Sequence, residues 1–437
     1  MKQPDVIKEY ILDVFFSIYK CKDCPKISYG NDDGDIIILT GKINFFDGKD
    51  PIPQKFTWKL WRDKELPFLF DNEDSSELIE NKNGRIYINY DIIASSFFFL
   101  SSWQEIHQSE KDLHGRFEYR NSIQYQHDFP LIPVVNYYFD ILKTAIRQAE
   151  KNISNRLKEK SNLSVFLSHD IDSINRGWVK DAFSEIKEGR FLSASRIMVQ
   201  RLRAKDDWNN IEEIVALEKE LGVSSTFFFL TEYGNNNADY KLKDVQTAFN
   251  TIRNAGSEIG IHGSLGSGLI EGQLENELQK FDIDITGNRF HFLKIDSSVT
   301  PAIIEKAGLS YSCSNGFAEQ IGFRNGFCFP FRPFNFKTGR AYQHYQIPLT
   351  LMDTTLRDKN YMGRIPGNEL ERQINILIDE TERFGGVLSI LWHNSYFTDY
   401  KFKGWREKYI HLIELLKKRT ADFRTGRKTI QLLKNAD

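Results

Sequence analysis

The 437-residue chain reads as α/β: a mostly parallel sheet covered by helices over about residues 156–437, preceded by a smaller α+β region over residues 1–155. Three observations predict this. From residue 164 onward, short and fully apolar runs alternate with amphipathic helical segments, the pattern of parallel strands buried on both faces. The segment KNISNRLKEKSN (151–162) is polar and charged, which marks a boundary. Acid, imidazole and guanidinium groups stand at the ends of several apolar runs, and in parallel α/β folds those ends open together on one face. About seven strands over roughly 275 residues suit a barrel better than an open sheet, although periodicity alone leaves both open.

Taken in order, Ile7, Ile11, Val14, Phe15 and Ile18 recur at helical spacing and predict an opening amphipathic helix. The runs DIIILTGKI, KFTWKLW and GRIYINY, set between Asp, Asn and Gly, predict strands. DIIASSFFFLSSWQEIH reads as one long helix, and a second follows around VVNYYFDILKTAIRQAE. Beyond the boundary, SVFLS (164–168), STFFFL (225–230), SEIGI, RFHFL, LSYSCS, YQIPLTLM and GVLSILW read as strands. NIEEIVALEKELGV and VQTAFNTIRNAG read as helices among them.

Composition narrows the function. With 58 Lys+Arg against 60 Asp+Glu, the net charge is −2, which supplies no field for a polyanion, so nucleic acid is not expected. The most apolar runs, such as Ile92–Leu100, fall short of the ~20 residues a spanning helix needs, so no transmembrane segment is expected. Asp5, Glu9 and Asp13 stand where a secretory signal has a basic start and an uncharged apolar stretch, and a cytoplasmic location is expected. In that compartment the four cysteines read as thiols. Cys21 and Cys24 form a CxxC, but no second CxxC or His pair lies nearby to complete a zinc site.

Chemistry concentrates at four strand ends. The strand SVFLS runs into His169, Asp170 and Asp172, and SEIGI runs into His262 and Ser264. RFHFL contains Arg289 and His291, and LSILW ends at His393 and Asn394. Asp170 and Asp172 are two apart and on an extended strand end face the same side. One carboxylate can then hold a cation while the other takes a proton from water, because a metal lowers the pKa of its water towards ~7. A bland alternative is that both carboxylates cap a following helix. The glycine-rich HGSLGSG lacks both GxGxxG spacing and a following GK[ST], so it is not read as a nucleotide site. The basic tail from Lys417 to Lys428 reads as a solvated helix face.

LSHDIDSI, EIGIHGS, RFHFLK and LSILWHN, in that order, resemble the motifs of the polysaccharide deacetylases of carbohydrate esterase family four (nodulation-deacetylase homology). The chain is most similar to a bacterial subgroup with a THDVD-like first motif, a GFRxGxCFPFRP run, here GFRNGFCFPFRP (322–333), and an extra N-terminal domain. The resemblance covers about residues 160–437 and implies a seven-stranded distorted (β/α) barrel. It further implies a metal-dependent hydrolase that removes N- or O-acetyl groups from glycans. Carried over, it makes Asp170 the general base, Arg289 the arginine that orients it, and His393 the general acid. Asp172 and His262 become ligands of a divalent metal, expected to be zinc. The family's second motif usually supplies two histidines four residues apart, but four after His262 stands Gly266. His291, two residues from Arg289 and so on its side of a strand, is one candidate for the missing ligand, and His169, Ser267 or an extra water are the others. The family's later Asp motif is also altered, reading Tyr311-Ser312-Cys313-Ser314.

Ser264, Arg324, Arg332 and Asn394 are candidate substrate contacts, although the two arginines are as well suited to pairing with local carboxylates. Trp178, Tyr233, Phe317, Phe323 and Phe331 have faces that can stack on sugars, though such residues more often belong to the core. The expected partner is an N-acetylated sugar, glycan or glycan precursor, in surface polysaccharide biosynthesis. Two other functions remain: a metal-free barrel that binds glycan without hydrolysis, which Gly266 keeps open, and an amidohydrolase acting on another C–N amide such as a cyclic ureide.

Overall fold

The opening helix, Gln3–Ile18, buries Ile7, Ile11, Val14 and Phe15, the apolar stripe that its spacing predicts. The structure is a computed structural model and describes residues 3–21, 23–41, 43–70, 77–149, 162–175, 185–203 and 208–434. Most of the polar segment 151–162 and Trp178 lie outside the described residues. A four-stranded sheet follows the helix, in the order Ile27–Tyr29, Ile36–Ile38, Arg85–Ile88, Ile79–Lys82, with the last strand antiparallel. A separate hairpin pairs Thr57–Trp61 with Lys64–Phe68. The single helix expected over 91–107 is two, Ile92–Leu100 and Trp103–His107. Ser102 between them adopts a left-handed φ of 57°, which ends one helix and re-aims the next. Asp91 starts the first by accepting from the Ala94 N–H. All nine residues of Ile92–Leu100 are buried, and the helix packs between Gln3–Ile18 and Val134–Ala149.

Cys21 and Cys24 are joined in a disulfide, contrary to the expectation of separate thiols. The chain turns sharply after the opening helix, with Asp23 at φ 55°, and brings the two Cα atoms to 5.5 Å, within disulfide reach. Cys313 and Cys328 are free and buried.

The second part is a nine-stranded sheet with every pairing parallel. From one end its strands are Tyr345–Gln346, Tyr311–Ser312, Gly287–Phe290, Glu258–Gly263, Thr226–Leu230, Ser164–Ile171, Val387–Leu391 and Leu351–Met352. A ninth, Asp422–Arg424, pairs with the first half of Ser164–Ile171, whose second half pairs with Thr226–Leu230. The two end strands belong to one run of chain, joined by residues 347–350, so that run meets both ends of the ladder and the sheet curls back on itself. Phe227, Phe228, Phe229 and Leu230 are fully buried on both faces, as parallel strands between layers must be. Among the described residues, no helix is long and apolar enough to cross a membrane.

One continuous apolar core runs from Ile7 to Leu416 and joins the two parts. Polar bridges tie them as well. Tyr137 donates to Glu380 at 2.6 Å, and Lys64 reaches the same carboxylate at 2.7 Å. The run 322–333 lies along this junction: Phe323 N–H donates to Pro130 O, and Cys328 N–H to Asn136 Oδ1.

Candidate active site and metal centre

The sheet's register puts the reactive groups side by side. His262 is paired with Arg289 on one neighbouring strand and with Leu230 on the other. Asp170 is the penultimate residue of its strand, and Asp172 lies one residue beyond the strand's end. Leu391 is paired with Met352, so His393 and Asp353 emerge together just past those strands. Asp170, Asp172, His262, His291 and His393 line one cavity of about 260 Å³, with Leu293, Met352 and Leu391 among its apolar walls.

Asp172, His262 and His291 each bring one ligand atom to within 4.8 Å of the others. His262 Nδ1 donates to Arg289 O at 2.8 Å, which fixes the tautomer and leaves Nε2 facing the cavity. That Nε2 lies 3.1 Å from Asp172 Oδ1, and His291 Nε2 lies 3.8 Å from the same oxygen. Apart from these imidazoles, buried Oδ1 has no hydrogen-bond partner, and His291 Nδ1 has none at all. Burial raises the Asp172 carboxyl, but His291, His262 and His393 outweigh it and hold the group well below the usual carboxylate range. Burial lowers His291 to about 4, so its ring is neutral at pH 7. On His262, burial pulls down but Asp170 and Asp172 push harder, and the net direction is up. Two imidazoles and a carboxylate whose ligand atoms lie within 4.8 Å of one another make a donor set that suits a divalent transition metal such as zinc. A cation there would displace the proton those carboxylates attract to His262.

Asp170 sits to one side. Arg289, fully buried, donates from Nη1 to Asp170 Oδ1 at 2.8 Å, from Nη2 to Ser168 Oγ and from Nε to Cys313 O. Its guanidinium also lies over the Phe228 ring at 4.9 Å. With Oδ1 occupied, Asp170 Oδ2 faces the His262 side at 3.7 Å. His393 stands opposite, with Nε2 3.7 Å from Asp172 Oδ2. Its Nδ1 donates to Asp353 Oδ1 at 2.7 Å, and its N–H donates to Asp353 Oδ2 at 2.6 Å. Burial disfavours the imidazolium, but Asp353, aided by Asp172 and Asp170, raises His393 to about 10. A proton donor therefore faces the cavity at neutral pH. Asp353 carries the same signal as Asp170, a carboxylate just past an apolar strand, but the sequence reading did not single it out.

Position 266 offers no ligand. Gly266 takes φ +92°, and a Cβ there would come within 3.1 Å of Gln273 Oε1 and Ile270 Cδ1. His169 is turned away, held by Trp392 O at 2.7 Å and Glu218 Oε1 at 2.9 Å. Ser267 Oγ donates to Ser264 O and lies outside the cavity wall. His291 does not continue the strand as expected: that strand ends at Phe290, and His291 begins a short 3-10 turn, His291–Leu293, that carries its ring over Asp172.

The expected substrate contacts are engaged elsewhere, and none lines the cavity. Arg324 is buried and bonds both oxygens of Glu105 at 2.7 Å, over the neighbouring rings of Phe117 and Phe317. Arg332 lies over the Tyr345 ring. Ser264 Oγ donates to Glu277. The Asn394 amide donates to Ser173 O and Trp208 O, tying loops together. Phe317, Phe323 and Phe331 are core residues, while Tyr233 is exposed. The cavity also has a wall that the sequence reading did not anticipate: His114 and Arg116 reach it from the N-terminal region.

Residues 6–151 match the model of a family described as a family of unknown function, DUF7033. No curated protein matches the chain. Among solved structures, the chain is similar to a Mycobacterium smegmatis protein assigned to the polysaccharide deacetylases, at 14% identity and a TM-score of 0.41, covering 64% of this chain and 91% of that one. It is similar to an allantoinase at 15% identity and a TM-score of 0.41, covering 64% and 93%. A family 4 carbohydrate esterase from Bacillus anthracis aligns at 12% identity and a TM-score of 0.29, covering 62% and 84%.

Proposed function

We propose that the chain is a metal-dependent hydrolase that removes an N-acetyl or O-acetyl group from a sugar or glycan precursor. On this reading its barrel has seven strands, with 345–352 counted as one and the side strand Asp422–Arg424 left out of the ring, and residues 1–155 form a separate preceding domain. The observation that carries the proposal is the convergence of Asp172, His262 and His291 on one point, with a base candidate and an acid candidate on either side.

A divalent cation held by these three residues would supply Lewis acidity towards the acetyl carbonyl and towards water. Asp170, with Oδ1 fixed by Arg289, presents Oδ2 to accept the proton of the attacking water. Arg289 keeps that carboxylate correctly turned. His393, protonated and held by Asp353, gives its Nε2 proton to the departing nitrogen or oxygen. Leu293, Met352 and Leu391 form apolar walls that limit water around the reacting group. An amide of a small acyl group needs this pairing most, because an amine departs only when protonated, and an ester's alcohol also leaves more readily with the proton.

The test combines metal analysis of protein purified without chelators with acetate release from a panel of N-acetylated and O-acetylated saccharides. Close to one equivalent of metal and acetate release are expected, and Asp170→Asn should keep the metal and lose turnover. An active Asp170→Asn variant would remove Asp170 from the role of base. Saccharide binding with neither metal nor acetate release would favour the metal-free glycan binder. Turnover of a cyclic ureide with none of the saccharides would favour the amidohydrolase.

A further inference from the structure

We infer that the turn Asp112–Arg116 of the N-terminal region positions the metal-ligating His291, acting through Phe292. The inference rests on the metal reading above and adds a role for a segment outside the ligand set Asp172, His262 and His291.

His262 and His291 are oriented in different ways. A metal-ligating histidine is normally turned by a hydrogen bond at its other ring nitrogen, as His262 is by Arg289 O. His291 Nδ1 is buried and has no such partner. Packing sets its plane instead: Phe292 stacks on it at 4.2 Å between ring centroids and 29° between planes. The placement of Phe292 is itself unusual. Phe292 and Leu293 adopt φ of +59° and +53°, consecutive left-handed conformations that non-glycine residues rarely adopt. Such a conformation persists only where its surroundings hold it.

The N-terminal turn supplies that hold. Arg116 Nη1 donates to Phe292 O at 3.0 Å, and its Nη2 donates to Tyr361 Oη at 3.2 Å. The guanidinium is pre-set by its own turn, because Asp112 accepts from Arg116 Nε at 2.7 Å and from the N–H groups of His114 and Arg116. His114 stacks on the Phe292 ring at 5.0 Å and 10°. Carbonyl and ring of Phe292 are thus both held from the N-terminal region, and the ring in turn fixes His291. Because Gly266 cannot supply a ligand, the third donor comes from a strained turn, and the turn is braced from outside the barrel.

The test is the zinc affinity of the full chain, measured by competition with a chromophoric chelator, for wild type, Phe292→Leu, Arg116→Ala and Tyr137→Phe. Phe292 is 38% exposed, so Phe292→Leu should fold, and circular dichroism of the metal-free protein checks each variant. Phe292→Leu and Arg116→Ala should weaken zinc binding by about 10–100-fold. Tyr137→Phe, which removes a bridge between the N-terminal region and the second part without touching Phe292, should bind zinc as wild type does. Unchanged affinity in folded Phe292→Leu overturns the positioning role and leaves the metal reading standing. An equal loss in Tyr137→Phe overturns it too, since general loosening would then explain the effect. A wild type that binds no zinc overturns the metal reading and this inference with it.

Discussion

Asp353→Asn separates a general acid at His393 from an ordinary buried imidazole. Asp353 accepts two hydrogen bonds from His393, at 2.7 Å to Nδ1 and 2.6 Å to the backbone N–H, and is itself fully buried. Its charge is the main reason that His393 stays protonated up to about 10. An unperturbed imidazole titrates near ~6.5, so at pH 8 about one molecule in thirty would carry the proton. Loss of the acid's proton alone therefore costs about 30-fold at pH 8 and only about 4-fold at pH 7 for an imidazole at its ordinary value. Burial of the ring increases that loss, and the remaining carboxylates of Asp170 and Asp172 reduce it. The sign is fixed: activity needs the protonated ring, so it falls as pH rises through the His393 pKa, and the variant moves that fall to lower pH. Stability follows the same direction, because a raised folded-state pKa contributes stability below ~6.5 that is lost as pH rises through about 10. The assay is acetate release from pH 6 to 10 for both proteins, with metal content measured alongside. An alkaline limb that stays in place in a folded, metal-loaded Asp353→Asn would refute the assignment of His393 as acid.

Three further outcomes are expected. His262→Ala removes a donor that is held ready by Arg289 O, and elemental analysis should show the metal lost while far-ultraviolet circular dichroism is kept. Glu105→Ala strands the buried guanidinium of Arg324 and should cost about 3–5 kcal/mol in urea denaturation, because removing one partner leaves an unpaired charge. His344 is lowered to about 4 by burial despite Glu305 beside it, so its contribution to stability is present above ~6.5 and lost as pH falls towards 4. Wild type should therefore lose up to about 3 kcal/mol more than His344→Leu between pH 7 and pH 4.

The parallel strands of the second part other than Asp422–Arg424, and the helices Gln3–Ile18, Val134–Ala149, Ile211–Leu221 and Leu242–Asn254, were legible because one local signal, apolar periodicity, determines them. Ile27–Tyr29, Lys64–Phe68, Ile79–Lys82 and the helix Gly367–Phe384 were not singled out. The same signal located Asp170, Asp172, His262, Arg289, His291 and His393, since parallel strands deliver whatever follows them to one face. It failed where a single residue changed direction, as at Ser102, which splits one expected helix into two. It also failed for side chains whose partners lie far along the chain. Arg324 and Glu105 are separated by 219 positions, and Arg116 and Phe292 by 176, so no local pattern shows that one arginine joins two regions while the other braces the site. Ser264 and Asn394 sit beside site histidines in sequence, but each follows the end of a strand, and the turn there points it at Glu277 or at loop carbonyls. Asp353 was legible in principle: it ends the run YQIPLTLM as Asp170 ends SVFLSH, and only its pairing with His393 needed the fold.

If Asp172, His262 and His291 hold one divalent metal that deacetylation requires, titrating zinc into chelator-stripped protein while following acetate release from an N-acetylated oligosaccharide should reveal it. No release is expected from the stripped protein, then activity rising linearly to a plateau at one equivalent, and no plateau in His262→Ala. Full release from the stripped protein, or none at any zinc level across the acetylated saccharides, would contradict it.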